Sequence, residues 1–168
     1  MRVAVTGTPG TGKTTATEHL ETDLSMLHLN RIIREKGLTT GHDEQRGSAV
    51  ADLEAVGEWL DGKDDVIFES HLAHNFEADR VVVLRCHPSE IERRLGERDE
   101  SPESVAENAE SEALDVILSA AVDRHGQDSV YEIETTDEPP ESVAASIAAV
   151  IDGSVQPRVG TVSFIDYL

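Results

Sequence analysis

Cysteine, lysine and aromatic residues are all scarce in this chain of 168 residues. Its single cysteine, Cys86, excludes an internal disulfide and any zinc site built from several cysteines. No stretch approaches the ~20 consecutive apolar residues of a membrane span, and the N-terminal residues lack the apolar core of a signal peptide. These absences predict a reduced, soluble protein of the cytoplasm that has no membrane partner.

Positive charge is also in short supply, because 14 Lys and Arg stand against 34 Asp and Glu and give a net charge of −20. Such a surface excludes a nucleic-acid binder that works through a basic patch, and it excludes binding to an anionic membrane. Only three of the basic residues are lysines: Lys13, Lys36 and Lys63. This composition is typical of a high-salt cytosol, where a Debye length of ~3 Å at molar salt weakens repulsion between carboxylates. An acidic mesophilic protein, or one with a basic partner, is the alternative.

The order of the apolar runs predicts an α/β fold in a single domain spanning residues 1–168. Short β-branched runs alternate with segments of helical periodicity, which favours a five-stranded parallel sheet flanked by helices on both faces. The predicted strands are Val3–Thr6, Met26–Leu29, Val66–Phe68, Arg80–Arg85 and Val130–Ile133. The predicted helices are Thr14–Glu21, Asn30–Lys36, Val50–Leu60, Pro88–Leu95, Leu114–Val122 and Pro140–Ile151. The polar segment Thr39–Ser48, which glycines interrupt, is predicted to be a loop.

The first predicted strand runs into Gly7-Thr8-Pro9-Gly10-Thr11-Gly12-Lys13-Thr14, which fits the pattern G-x-x-x-x-G-K-[ST]. In this pattern the glycines let backbone N–H groups face phosphate oxygens at the start of a helix. Lys13 would reach the β- and γ-phosphates, the Thr14 hydroxyl would ligate Mg²⁺, and Thr15 would reach the α-phosphate. The sequence therefore predicts a P-loop protein whose ATP-binding residues include Gly10, Gly12, Lys13, Thr14 and Thr15.

The chain lacks the Asn-Lys-x-Asp motif of GTPases and the Leu-Ser-Gly-Gly-Gln signature, so a small kinase is favoured. Thr6–Thr15 resembles the opening of the adenylate kinase family found in archaea and eukaryotic nuclei. The resemblance extends to about Ile151 through Arg34, Gly41–Glu44, Val66–His71 and Arg94–Arg98, with Asn108 and Glu112. It implies nucleoside monophosphate kinase and ATPase activity, Mg²⁺ as the cofactor with ATP, and a role in maturation of the small ribosomal subunit.

The resemblance also implies a short monophosphate-binding arm at about residues 28–51 and a small lid at about residues 97–107. Arg34 lies in the arm, where a guanidinium would bind the acceptor's phosphate; a solvated arginine beside Glu35 is the alternative. Arg94 and Arg98 flank the start of the lid, where they would neutralise charge on the transferred phosphoryl group, and Arg98 would close onto ATP. Two surface arginines paired with nearby glutamates are the alternative.

Glu69 and His71 stand where the family has Asp-x-His. By resemblance, Glu69 would orient the Mg²⁺ shell through water, and His71 would position water or couple hydrolysis to a conformational change. The glutamate keeps the charge but moves the carboxylate by one methylene. For His71 the alternative is a structural histidine at a strand end, and its spacing with Glu69 and His74 fits no zinc signature.

These observations predict an adenylate kinase-like enzyme that transfers the γ-phosphate of ATP to AMP or a related monophosphate, with Lys13, His71, Arg94 and Arg98 as catalytic residues. One alternative is a nucleotide-switched ribosome-assembly ATPase, with a basic protein of the small-subunit platform as its partner. Another is a P-loop kinase for a different small metabolite. We expect a monomer, a buried Cys86, and Trp59 on a core-facing helix. The C-terminal extension, residues 154–168, would dock on the body of the domain or on a partner.

Overall fold

The computed structural model describes residues 1–43 and 48–168. Its strands are β1 (Arg2–Thr6), β2 (Ser25–His28), β3 (Thr39–Asp43), β4 (Ser48–Ala51), β5 (Val66–Glu69), β6 (Arg80–Arg85) and β7 (Val130–Glu134). Five of these form a parallel sheet in the order β2-β5-β1-β6-β7. The predicted five-stranded parallel sheet is thereby confirmed. Because the strands are parallel, their carboxyl ends meet at one edge, where ligands bind in open α/β sheets.

The helices are α1 (Lys13–Glu18), α2 (Leu29–Lys36), α3 (Leu53–Leu60), α4 (Pro88–Glu97), α5 (Pro102–Ala113), α6 (Val116–His125) and α7 (Pro140–Asp152). Alternate residues of a strand face opposite sides of the sheet. Ala4 and Phe68 share a core with residues of α2, α3 and α6, whereas Val5 and Ile67 share another with residues of α1 and α7. Helices therefore cover both faces of the sheet. Within the described ranges, no helix has the length and apolar character needed to cross a membrane.

The connection between α2 and α3 differs from the sequence prediction. Part of the predicted loop Thr39–Ser48 is strand, because β3 and β4 pair as an antiparallel hairpin. α3 begins at Leu53 and not at Val50, because Asp52 caps it by accepting a hydrogen bond from the backbone N–H of Ala55 at 3.1 Å. Residues 44–47, which include one residue of the quoted resemblance, lie outside the described residues.

The expected arm, residues 28–51, corresponds to α2 and this hairpin, and the expected lid, residues 97–107, runs from the end of α4 into α5. α4 and α5 pack together around a small apolar cluster of Cys86, Ile91 and Leu95 with Val105. Cys86 is fully buried, as predicted for a small apolar side chain. The arm and the lid are defined by movement on ligand binding, so their boundaries stay predictions.

The C-terminal extension docks on the body of the domain. The backbone N–H of Arg158 donates to the carbonyl of Val130 at 3.1 Å, and that of Glu132 donates to the carbonyl of Arg158 at 2.9 Å. The extension therefore runs beside β7, the edge strand of the sheet. Phe164 is buried farther along, with its ring centroid 5.4 Å from the guanidinium carbon of Arg85. The extension was predicted to dock either on the body of the domain or on a partner, and in the structure it docks on the body.

Trp59 lies on α3 and packs, partly buried, against the core shared by α2, α3 and α6. Two lysine ammonium groups face its ring: Nζ of Lys63 lies 4.3 Å from the ring centroid, and Nζ of Lys36 lies 5.9 Å from it. Such contacts are favourable because the face of an indole ring attracts cations. Since Lys36 is the last residue of α2, the contact joins the expected arm to the body of the domain.

Candidate active site

The phosphate loop joins β1 to α1 at the carboxyl edge of the sheet. Two of its glycines are required by the path of the backbone. A Cβ atom on Gly7 would lie 2.7 Å from the carbonyl oxygen of Leu84, and Gly12 has a φ of 93°, in the left-handed region. The loop therefore passes closer to β6, and turns more sharply into α1, than other residues would allow.

Lys13 is the first residue of α1, and its side chain turns back into the loop. Nζ donates hydrogen bonds to the carbonyls of Gly7 at 2.8 Å and Thr8 at 3.1 Å. Burial lowers the pKa of Lys13 to about 8, although the carboxylates of Glu69 and Glu112 act in the opposite direction. The ammonium therefore lies inside the loop, where its acceptors are neutral backbone carbonyls.

Glu69 ends β5 beside the loop and is 5% exposed. Its Oε1 accepts a hydrogen bond from the Thr14 hydroxyl at 3.2 Å and lies 2.8 Å from Nδ1 of His28. A hydroxyl and a carboxylate are the hard oxygen donors that Mg²⁺ prefers, so this pair fits the predicted metal. His28 belongs to no recognisable sequence motif. Its partner is 41 residues away along the chain, and only the pairing of β2 with β5 brings the two together.

His71 follows β5 and lines the same cleft as Lys13 and Glu69. Burial lowers its pKa to about 4, and the positive charge of Lys13 acts in the same direction. The imidazole is therefore neutral near pH 7. His74 instead faces Thr6, with 3.0 Å between Nδ1 and the hydroxyl oxygen. Among the described residues, no group of three or more His, Cys, Asp and Glu is placed to hold a metal ion.

The structure brings Arg94 and Arg98 to the loop and leaves Arg34 apart. Arg94 donates from Nη1 to the carbonyl of Gly10 at 3.1 Å and from Nε to Glu90 at 3.0 Å, so it combines a loop contact with the predicted surface pairing. Arg98, the residue after α4, is exposed and lines the phosphate cleft. Arg34 is exposed on α2 and does not belong to the described residues that line this cleft.

Two adjoining clefts open at the phosphate loop. The first has a volume of about 120 Å³ and is lined by Pro9, Gly10, Gly12, Lys13, Thr14, Thr15, Asn30, Glu69, His71 and Arg98. The second has a volume of about 250 Å³ and is lined by Thr11, Gly12, Thr15, Ala16, Arg94, Arg98, Thr135, Glu138, Pro140 and Val143. Because Gly12, Thr15 and Arg98 line both, one extended ligand can occupy the two clefts together. Larger grooves along α7 contain none of the phosphate-loop residues.

A buried ion network supports the loop from behind. The fully buried guanidinium of Arg85 lies 2.6 Å from a carboxylate oxygen of Glu132 and 3.2 Å from one of Glu112, and it also contacts Asp115. Glu112 in turn accepts a hydrogen bond from the Thr8 hydroxyl of the loop at 3.2 Å. Burial raises the pKa of Glu112, whereas Arg85 lowers it. No local sequence pattern marks Arg85, because its partners lie 27 to 47 residues farther along the chain.

A glycine-rich loop that holds a buried lysine, at the carboxyl edge of a parallel sheet, defines a P-loop protein. A sequence family described as "AAA domain" matches residues 3–115. The chain is 61% identical to a "Putative adenylate kinase" of Natronomonas pharaonis and 56% identical to one of Halobacterium salinarum, in both cases over 100% of either chain. The chain therefore belongs to this archaeal adenylate kinase family, which confirms the resemblance seen in its sequence.

Solved structures share the fold at low sequence identity. A shikimate kinase from Bacteroides thetaiotaomicron has a TM-score of 0.54 at 17% identity and covers 90% of this chain and 98% of its own. A sugar kinase from Janibacter has a TM-score of 0.57 at 20% identity, with 90% and 94% covered. A sulfotransferase from Alicyclobacillus acidocaldarius has a TM-score of 0.55 at 12% identity, with 98% and 86% covered. Since a sulfotransferase shares the architecture, the fold alone does not select the reaction, and the site residues must.

Proposed function

We propose that the protein is a nucleoside monophosphate kinase that transfers the γ-phosphate of ATP to AMP or a related acceptor. The observation that carries the proposal is the meeting of Lys13, the Thr14–Glu69 pair and Arg98 at one cleft. A cation, two hard oxygen donors and a guanidinium meet the needs of phosphoryl transfer, because its catalysis rests on positioning and charge neutralisation. The family membership supports the same reaction.

ATP would lie across both clefts. Its phosphates would accept hydrogen bonds from the loop's backbone N–H groups and from Lys13. The Lys13 ammonium would then give up its hydrogen bonds to the carbonyls of Gly7 and Thr8. Its base would enter the second cleft, whose apolar walls come from Ala16, Pro140 and Val143.

Thr14 would ligate Mg²⁺ directly, and Glu69 would hold it through water. When bound with ATP, the ion neutralises charge on the β- and γ-phosphates. The other catalytic roles would belong to side chains of this cleft. Arg98 would approach the transferred group and exclude water when the lid closes, and neutral His71 would orient the attacking acceptor or a water molecule.

The acceptor would bind between the cleft and the arm. Asn30, at the start of α2, already lines the phosphate cleft, where its Oδ1 accepts a hydrogen bond from the Ser70 hydroxyl at 2.7 Å. Arg34 lies one turn farther along α2 and would bind the phosphate of AMP when the arm approaches. Its exposure in this structure is consistent with a residue that acts in the closed state.

Phosphorus NMR of ATP, AMP and Mg²⁺ in molar KCl tests the proposal, because it separates ADP formation from phosphate release. The wild type should convert ATP and AMP to ADP. Lys13→Met should abolish this conversion, whereas Lys63→Met, which changes a lysine beside Trp59, should retain it. Arg34→Met should raise the KM for AMP and leave hydrolysis without AMP unchanged. Folded wild-type protein that binds ATP and forms no ADP from AMP would refute the kinase activity.

ATP hydrolysis in service of ribosome maturation is a second candidate. The net charge of −20 favours it, since such a surface attracts a basic protein, and His71 suits the orientation of water. Phosphate release without AMP would report the hydrolysis. Purification from cells in native salt should retain a basic small-subunit protein in an ATP-dependent manner, and its absence would count against this role. We also propose that the protein is cytoplasmic, adapted to high salt and monomeric.

A further inference from the structure

We propose that His28 is a positioning residue that anchors the Glu69 carboxylate and thereby fixes how it meets a metal–nucleotide ligand. The inference rests on the proposed function, because it assumes that Glu69 serves such a ligand. Neither the motif nor the family resemblance singled out His28. Its role follows from the sheet, which places the two residues directly side by side.

Strand pairing makes this contact a fixed feature of the fold. β2 pairs with β5 in parallel, and His28 and Glu69 are Cα partners in that register, each at the end of its strand. The side chains are 23% and 6% exposed, so water competes little for the hydrogen bond between them. At 2.8 Å, the separation of Nδ1 from Oε1 is that of a well-formed hydrogen bond.

The side chain of His28 does not cap α2, so it is available to bond to Glu69. His28 is the residue that precedes this helix, a position where a side chain commonly accepts a hydrogen bond from the first turn. Here the side chain makes no capping hydrogen bond. Its Nδ1 is directed to Glu69 instead, which is the arrangement expected of a residue that holds another side chain.

The contact also determines which carboxylate oxygen stays available. Thr14 and His28 both bond to Oε1, and within residues 1–43 and 48–168 the hydrogen bonds of Glu69 end on that oxygen. We assign the donor role to Nδ1 of His28, because a carboxylate oxygen is the acceptor in such a pair and the direction of the bond depends on the tautomer of the imidazole. Two donors on one oxygen immobilise a flexible glutamate side chain and leave Oε2 for the hydration shell of a ligand.

The first test is spectroscopic and needs no turnover. Long-range ¹H–¹⁵N NMR of the imidazole should show a proton on Nδ1 of His28 in the wild type and loss of that signature in Glu69→Leu. A neutral His28 with its proton on Nε2 in the wild type would overturn the assignment.

The second test measures ligand binding. His28→Ala should weaken binding of Mn²⁺·ATP roughly 10-fold, the lower end of the effect of removing a partner of a metal-binding carboxylate. Binding of metal-free ATP should not change. His28→Asn should restore most of the loss, because its amide nitrogen can replace Nδ1. His19→Ala, at the exposed end of α1, is the matched control.

A double mutant separates positioning from a general structural effect. Glu69→Asp withdraws the carboxylate by one methylene and breaks the bond to His28, so His28→Ala should add less than about 2-fold in that background. An equal loss in both backgrounds, or failure of His28→Asn to recover binding, would refute the proposal. If these results hold while AMP yields no ADP, the kinase activity fails and the assignment of His28 stands.

Discussion

Replacing Arg85 by methionine removes the positive charge from the ion network behind the phosphate loop. The carboxylates of Glu112 and Glu132, whose side chains are 3% and 0% exposed, would then be buried without their partner. Removing one member of a buried ion pair costs about 3–5 kcal/mol, because the remaining charge is neither hydrated nor neutralised. For a domain of this size the melting temperature should fall by roughly 10 °C.

Urea unfolding in molar KCl measures the loss of unfolding free energy, and Arg93→Met is the matched control. Arg93 also pairs with two glutamates, Glu90 and Glu97, at 2.6 Å each, but its side chain is 56% exposed. Solvated pairs of this kind contribute little to stability, so Arg93→Met should be close to the wild type. Equal losses in the two variants would refute the assignment of stability to the buried network.

The pH dependence of Arg85→Met provides a second check on the same reasoning. Without Arg85, burial raises the pKa of the remaining carboxylates in the folded state above its value in the unfolded chain. The folded variant then takes up protons more readily than the unfolded chain as the pH falls. The difference in stability between the wild type and the variant should therefore narrow toward acidic pH. A difference that widens would contradict the electrostatic cause.

Three further predictions concern the loop, the surface and the C-terminal extension. Affinity for ATP, measured by calorimetry, should be constant below the Lys13 pKa of about 8 and fall above it as the ammonium is lost, whereas Lys13→Arg should show no such fall. The melting temperature should rise from low to molar KCl, as the Debye length drops from ~10 Å to ~3 Å and carboxylate repulsion weakens; an unchanged value would contradict this. Phe164→Ala should lower the unfolding free energy by about 3 kcal/mol, as for other buried phenylalanines. Ile165→Ala, at a position that is 56% exposed, is its control, and equal losses would show that the extension contributes nothing specific.

The parts of the fold that the sequence predicted are those encoded locally. The phosphate loop is a continuous motif between a strand and a helix. The strand Arg80–Arg85 contains four consecutive apolar residues, Val81–Leu84, because both faces of the sheet are covered. The hairpin of β3 and β4 was missed because Thr39–Asp43 contains a glycine and polar residues, without the apolar alternation that marks a strand.

The parts of the site that the sequence could not predict depend on partners far apart in the chain. Arg85 ends an apolar strand and looks like a solvent-facing residue until Glu112 and Glu132 are placed around it. His28 gains its partner only from the register between β2 and β5. For Arg34 the opposite holds. The family resemblance implies that it binds the acceptor's phosphate, but in the structure it is not among the described residues that line the phosphate cleft, so this role stays a prediction.

The contact of Trp59 with two lysines gives the unmodified protein an optical probe. Indole fluorescence in this chain has one source, because the sequence contains a single tryptophan. Emission from that ring responds to nearby charge, and one of the two ammonium groups over it, on Lys36, belongs to the expected arm while the other, on Lys63, belongs to the body. Stopped-flow fluorescence after addition of AMP would therefore report whether α2 moves and would time any such movement against the chemical step, with no label attached.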